Sequence, residues 1–403
     1  MTIKKILAKY NSRKYFHYLF FVIPVLIVFV SFLITLILNK ENTNLKENNQ
    51  KLSDKYLELD QKFQTVNIQL KDLQNQNQYK INQDLNARIK NIENTYKKAS
   101  DDYEKLLDLK TNKVGTDKMD ELFAKSLNLL SDQNYASAES TLSELNSQIE
   151  SENIKLAAAA SKTNSYIPTS NTPPNSGYNR QNVQSDMGNF TVDIISADLA
   201  TTRVIVDTAS NSNCNNDCPT LPLVDYVSRN QAFAGINGSF FCPSTYPSCA
   251  GKTNSFDLLV MNKNKVYFNS DNNVYSTNPA VIFGNGWIRF VGKALEWGRD
   301  TSPDGVLSNF PLLVQGNQIV YSGSSDQKFT IRSTRNFVAN KGNTVYIGVI
   351  YNATMEESAH ILKTLGMENA MNLDEGGSTA LWYGNYIAGP GRNIPNAILF
   401  IKK

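Results

Sequence analysis

Asp374 is the residue whose type and setting most directly suggest chemistry. The segment Ala370-Met-Asn-Leu-Asp-Glu-Gly-Gly-Ser-Thr-Ala-Leu-Trp-Tyr383 delivers this carboxylate from a short apolar run into a turn. Glu375, Gly376 and Gly377 follow it, and Ser378 and Thr379 then add two hydroxyls. Tandem glycines admit positive φ and let a ligand approach main-chain N–H groups closely. A carboxylate, exposed amides and hydroxyls at one strand end are the parts of a polar-ligand site. The plainer reading is a hairpin turn with a solvated Asp.

A second segment, Ala234-Gly-Ile-Asn-Gly-Ser-Phe-Phe241, places Asn237 and Gly238 where a tight turn or bulge would sit. Asn-Gly is also a common hairpin dipeptide, so a purely structural role fits this pair too. Other chemistries have fewer parts available. The chain has two histidines, His17 and His360, too few for a histidine-rich zinc hydrolase. Only His360 could serve a Ser-His-Asp triad, and a place on a helix surface suits it better. No G-x-x-x-x-G-K-[ST] phosphate loop is present. Carboxylate, amide, hydroxyl and arginine chemistry remains.

The two segments together resemble the phosphodiester glycosidase family, which carries N-G-G-F-F and, much later, N-L-D-G-G-G-S-[ST]. Here they read Asn237-Gly-Ser-Phe-Phe241 and Asn372-Leu-Asp-Glu-Gly-Gly-Ser-Thr379. Between and beyond them, Ser255-Phe-Asp-Leu-Leu-Val260, Phe310-Pro-Leu-Leu-Val-Gln-Gly-Asn317, Arg335-Asn-Phe-Val-Ala339 and Arg392-Asn-Ile-Pro-Asn-Ala397 follow the family's order. The resemblance spans residues 180 to 403, and Ser239 and Glu375 stand where the family has glycines.

The resemblance implies hydrolysis of a sugar linked through its anomeric carbon to a phosphodiester. Such a substrate carries a weakly basic leaving group, so it needs little general-acid help. It needs a carboxylate near the anomeric carbon and donors on the phosphate. Asp374 takes the carboxylate role, as nucleophile or as the base that activates water. Arg335 would clamp phosphate with its planar fork, and Arg392 is a second phosphate candidate that could instead form a structural salt bridge. Asn237 joins them in the catalytic set. Gly238, Glu375, Gly376, Gly377, Ser378 and Thr379 would contact the substrate, at its sugar hydroxyls or phosphate oxygens. Glu375 or Asp257 would be a second carboxylate. Adjacent Asp374 and Glu375 would also suit a hard divalent cation, although the reaction requires no cofactor. Phe240 and Phe241 fit a core, whereas Trp382 and Tyr383 suit either sugar stacking or sheet packing.

The elements that must position these residues follow from patterning. Lys4, Lys5, Lys9, Arg13 and Lys14 precede an apolar run from Tyr18 to Leu38, long enough to span a bilayer as a helix. We read 1–14 as a basic cytoplasmic tail and 15–38 as a transmembrane helix that places the rest outside the cytoplasm. The run ends in Leu-Ile-Leu-Asn-Lys-Glu, without a small-x-small cleavage site, which favours an uncleaved anchor over a signal peptide. Formal net charge is +3, with the basic excess concentrated at this end, so nothing points to nucleic acid. Cys214, Cys218, Cys242 and Cys249 read as two disulfides in an exported domain. Pairing 214 with 218 and 242 with 249 is simplest; three connectivities exist, and a four-cysteine zinc site is the rival.

Leu45, Leu52, Leu59, Val66 and Leu73 recur every seven residues, with Tyr56, Phe63 and Leu70 on a second seam. Residues 41–110 therefore read as a coiled-coil stalk of two or three parallel copies, about 105 Å long if helical. Residues 115–160 form a helical hairpin resembling one tetratricopeptide-like pair, too little for a solenoid. A Ser/Thr/Pro-rich linker fills 161–178. Residues 179–403 then form a catalytic domain of α+β class with a mixed sheet. Its expected elements include strands at 190–195, 203–207, 281–283 and 345–350. One helix runs from the Thr354/Glu357 capping box to Gly366. The whole reads as a membrane-anchored, outward-facing glycosidase acting on cell-envelope or exopolysaccharide material. The alternative is a non-catalytic envelope protein that binds glycan and organises partners.

Overall fold

A computed structural model describes residues 12–75, 77–161, 167–269, 277–298 and 302–403. Two compact units divide at Lys90/Asn91. In the first unit, α1 (Ser12–Asn75) is one helix that runs through Pro24. Its apolar end is long and apolar enough to cross a membrane. Pro24 fits that setting, since neighbouring backbone groups in a membrane helix re-satisfy the one it frees. The basic tail, up to residue 11, lies outside the described residues. Leu45, Leu52, Leu59, Phe63, Val66 and Leu73 all stand exposed along α1. A second helix, α2 (Asn77–Thr111), starts in this unit, where Leu85 and Ile89 are exposed as well.

The second unit begins within α2 and shows a different pattern. From Asn91 onward, Ala99, Leu106 and Leu109 are buried against the helical hairpin. That hairpin comprises α3 (Asp117–Ser131) and α4 (Tyr135–Ser161). Met119, Leu130, Leu142, Leu145 and Ile149 complete the shared core, and Tyr103 stacks on Phe123 at 4.8 Å between ring centroids. The last part of the expected stalk is therefore the third helix of a small bundle. Burying each such Leu or Ile contributes roughly 1.5–3 kcal/mol, which a lone hairpin could not gather. Of the expected linker, residues 167–172 run against the first strand: Ser170 N donates to Asn182 O at 2.8 Å and Asn182 N to Pro168 O at 2.9 Å.

Seventeen strands are found among the described residues. The first six are β1 (Gly177–Ser185), β2 (Gly188–Asp198), β3 (Thr202–Thr208), β4 (Ala234–Asn237), β5 (Val260–Met261) and β6 (Tyr267–Phe268). Next come β7 (Ala280–Gly284), β8 (Trp287–Val291), β9 (Gly305–Ser308), β10 (Leu312–Gln315) and β11 (Gln318–Ile319). The last six are β12 (Ser333–Lys341), β13 (Thr344–Ala353), β14 (Asn369–Asn372), β15 (Leu381–Tyr383), β16 (Asn385–Ala388) and β17 (Asn396–Lys402). They build a seven-stranded sheet ordered β1-β2-β13-β12-β14-β10-β11 and two five-stranded sheets, β16-β15-β4-β17-β3 and β6-β5-β9-β7-β8. The named strands pair antiparallel, and with the helices the domain is α+β as expected.

Burial explains the patterning. β2 and β13 sit inside the seven-stranded sheet and are buried on both faces. One face packs on the other sheets through Ile195, Val338, Ile347, Val206 and Ile236. The other packs on α7 (Met355–Thr364), which follows the short helices α5 (Leu223–Arg229) and α6 (Gln327–Thr330) in the chain. The capping box forms as read: the Thr354 hydroxyl accepts from Glu357 N, and Glu357 reaches back to Thr354 N at 2.8 Å. Gly366 follows with φ of 75°.

Candidate active site

Two sheets bring the two sequence segments together. β4 ends at Asn237 in one sheet and β14 ends at Asn372 in the other, so each chain end leaves its sheet at the same place. Asp374 N donates to Gly238 O at 2.9 Å, and Asn237 Nδ2 donates to Asp374 O at 2.7 Å. Asn336, one residue after Arg335 on β12, closes the bracket. Its Nδ2 donates to Asp374 O at 2.6 Å, Asn237 Oδ1 at 3.2 Å and Thr379 Oγ1 at 3.0 Å. Ala380 N also donates to Asn237 Oδ1 at 3.0 Å. Asn237 is fully buried and bonded in this way, so it holds the Asp374 turn rather than facing a ligand. Thr379 has the same role, and Gly238 contributes its carbonyl.

The turn itself presents charge. Gly376 adopts φ of 62°, a left-handed conformation that disfavours side chains, and opens the 3-10 turn Gly376–Ser378. Asp374 stands partly buried at its start. Burial pushes its carboxyl up to about 7; the Ser378 hydrogen bond, Arg392 and Glu375 N pull the other way, and the Glu375 charge adds to the rise. Such a carboxyl exchanges a proton near neutral pH, the property a general base needs. Glu375 is raised by burial as well, with Arg335 opposing.

The arginines differ in what they have left to offer. Arg335 is buried, and its Nε donates to Ala353 O at 3.0 Å while Nη2 donates to Lys328 O at 2.8 Å and Ile331 O at 2.5 Å. Its Nη1 pairs with Glu375 Oε1. The guanidinium thus ties β12 to the loop before it and anchors Glu375, whose second oxygen, Oε2, has no hydrogen-bond partner among the described residues. Arg392 lies across Gly377, where an added Cβ would require the guanidinium to shift. Its Nη2 pairs with Asp108 on α2, and its buried Nε–H has no acceptor among the described residues.

These groups line a cavity of about 360 Å³, within the size range of small-ligand sites. Asp374, Glu375, Gly376, Ser378, Arg335 and Arg392 are among its lining residues. Asp257, Phe240 and Phe310 line it too, and the rings of Phe240 and Phe310 meet edge to face at 5.1 Å. Trp382 and Tyr383 are not among its lining residues; they pack on Tyr386 and Tyr178. His360 is also elsewhere, with Nδ1 2.8 Å from Asp186. The cysteines are joined as 214–218 and 242–249, and the second bridge closes a loop on the cavity wall. That loop supplies Tyr246, whose hydroxyl donates to Asp108 Oδ1 at 2.8 Å, and Ser248, which bonds Glu104. No group of three or more His, Cys, Asp and Glu side chains able to hold a metal ion occurs among the described residues.

Sequence reading missed Asn336, Asn309, Tyr246, Glu104 and Asp108. Asn309 positions both segments, accepting from Phe240 N at 2.9 Å and donating to Asn372 O at 2.8 Å. The available signal was Asn336 itself, an amide inside the apolar run Phe337-Val-Ala and thus in need of buried partners. Asp108 gave no signal, because acidic residues abound in its helix.

Residues 230–401 match the model of the phosphodiester glycosidase family and form a domain of that family. A search of curated proteins finds no match. Among solved structures, a hypothetical protein from Synechocystis aligns with a TM-score of 0.42 and 15% identity, over 56% of this chain and 62% of that one. The zebrafish N-acetylglucosamine-1-phosphodiester alpha-N-acetylglucosaminidase catalytic domain, auto-inhibited by its pro-peptide, aligns with a TM-score of 0.44 and 14% identity. That alignment covers 59% of this chain and 87% of the zebrafish domain.

Proposed function

We propose that this phosphodiester glycosidase-family domain hydrolyses a sugar-1-phosphodiester, with Asp374 as its reacting carboxylate. The observation that carries the reading is that a carboxyl poised near 7 and an arginine with an unpaired buried N–H line one cavity. The phosphate would lie on Arg392, and Asp374 would face the anomeric carbon. Water forms its bond to that carbon as the C–O bond to phosphate breaks. The leaving phosphate monoester takes the bonding pair, and Asp374 takes the water proton. If Asp374 instead attacks the carbon directly, the same water completes the reaction one step later. Arg335 acts through Glu375, fixing it beside Asp374. Asn237, Gly238 and Thr379 hold the turn, while Ser378 and the Gly376 and Gly377 amides contact the substrate. No cofactor is needed.

The wider setting belongs to the same proposal. The apolar end of α1 anchors the chain in the cell membrane, with the basic tail cytoplasmic and the domain outside. The stalk pairs with further copies through its exposed heptad seam, and the substrate is an envelope glycan or exopolysaccharide. The test is release of reducing sugar from a panel of sugar-1-phosphodiesters by the detergent-solubilised full chain. Asp374→Asn should lower kcat by roughly 10²–10⁴-fold. Turnover that survives the substitution sinks the role of Asp374. Absence of turnover across the panel, with retained glycan binding, would favour the non-catalytic reading.

A further inference from the structure

Arg392 meets a carboxylate from an unexpected part of the chain. Asp108, on the segment of α2 that packs with the helical hairpin, pairs with Arg392 Nη2 and accepts from the Tyr246 hydroxyl at 2.8 Å. Its Oδ2 lies 3.1 Å from where a Cβ on Gly376 would stand, so the carboxylate sits directly on the glycine turn that carries Asp374. One turn earlier, Glu104 bonds Ser248 and lies 4.0 Å from Lys328 Nζ. Asp108 and Glu104 are spaced four apart on one helix face. That face enters the cavity alongside the family residues.

An oxyanion on an arginine and a phenol is the arrangement a phosphate would adopt there. The same donors cannot serve both anions. A substrate phosphodiester arriving beside Asp108 would meet like charge in a partly buried site, and it would find Nη2 and the Tyr246 hydroxyl already engaged. Yet Asp108 leaves Nε–H unpaired. A phosphate could take Nε and Nη2 together, the two-point contact that arginine favours. The resident carboxylate is thus a weaker ligand for the guanidinium than the substrate it would be replaced by.

We infer that Asp108 is a resident competitor for the anion subsite formed by Arg392 and Tyr246, so that the bundle segment of α2 gates the site. This rests on the phosphodiester reading above. Substrate binding then requires Asp108 to leave, and displacement of the helix from the disulfide-closed loop opens the cavity. Whatever moves this helix sets the activity of the domain.

The test uses the full chain in detergent and inorganic phosphate as the probe, with affinity read by calorimetry. Asp108→Asn keeps the side-chain shape and removes the charge. It should bind phosphate at least tenfold more tightly than the parent, and adding Arg392→Gln to it should abolish the gain. With a sugar-1-phosphodiester, D108N should lower KM without lowering kcat. Equal phosphate affinity in parent and D108N overturns the gate, as does weaker binding in D108N. Tighter phosphate binding without hydrolysis by any variant keeps the gate and rejects the glycosidase reading. Should D108N fail to fold, Glu104→Gln loosens the same helix without touching the subsite, and unchanged phosphate affinity in that variant overturns the inference equally.

Discussion

Asp374 carries two consequences of one environment. Its carboxyl is held near 7 by burial, against an ordinary value of 3.8. Below about 4 the group is protonated whether the chain is folded or unfolded, so it adds no pH dependence there. Between about 4 and about 7 the unfolded chain releases that proton while the folded one retains it, and stability falls as pH rises. Above about 7 the penalty is complete and constant. Asp374→Asn has no proton to release, so its gain in Tm over the parent should grow from pH 4 to pH 7 and then level off. Thermal melts at four pH values check this; a difference that stays flat across the range rejects the buried-carboxyl account. Under the proposed mechanism the ionised form reacts, so the same group should give kcat/KM a limb that rises with pH through about 7. The substitution that disables the site is thus expected to stabilise the fold, a trade typical of functional positions.

At the scale of elements, the site depends on three strand ends held by amides. β4, β12 and β14 meet through Asn237 and Asn336, and the three Asn336 Nδ2 contacts converge on the Asp374 turn. Asn336→Ala removes the hydrogen bonds to Asp374 O, Asn237 Oδ1 and Thr379 Oγ1, each contributing about 0.5–1.5 kcal/mol. A stability loss of about 2–4 kcal/mol in urea titration is expected, together with a fall in kcat larger than any rise in KM. A variant with parental stability would show that the amide bracket is dispensable. Much of this framework was legible beforehand. The Asp374 and Asn237 segments announced two turns, the capping box announced α7, and cysteine spacing suggested the pairing that forms. The bracket between the turns was not legible, because a buried asparagine declares only that it needs partners. Here those partners lie 38 to 99 residues away. The Asp108–Arg392 pair spans 284 residues and joins a helix to a loop, with no periodicity to betray it.

At the scale of the molecule, one helical signal served two purposes. Residues 41–110 read as one stalk in the sequence, yet the two ends of that run have different fates. Beyond Asn91 the apolar residues find partners within the chain, where Leu106 and Leu109 are fully buried. Before it, among the described residues, they stand exposed: Leu52 is 53% exposed, Leu59 64%, Phe63 60% and Val66 58%. Periodicity reports that a helix has an apolar face, and only the fold decides whether that face is covered internally. An uncovered face at heptad spacing, on a helix rich in Asn and Gln, gains stability by pairing with another copy. The detergent-solubilised chain should therefore run as a dimer or trimer by light scattering. Replacing Leu52, Leu59 and Val66 together with Asp should give monomers whose domain still hydrolyses substrate at the parental rate in solution. A monomeric parent would reject the coiled coil. Loss of turnover on monomerisation would mean that the seam reaches into catalysis, which a stalk acting only as a spacer does not allow.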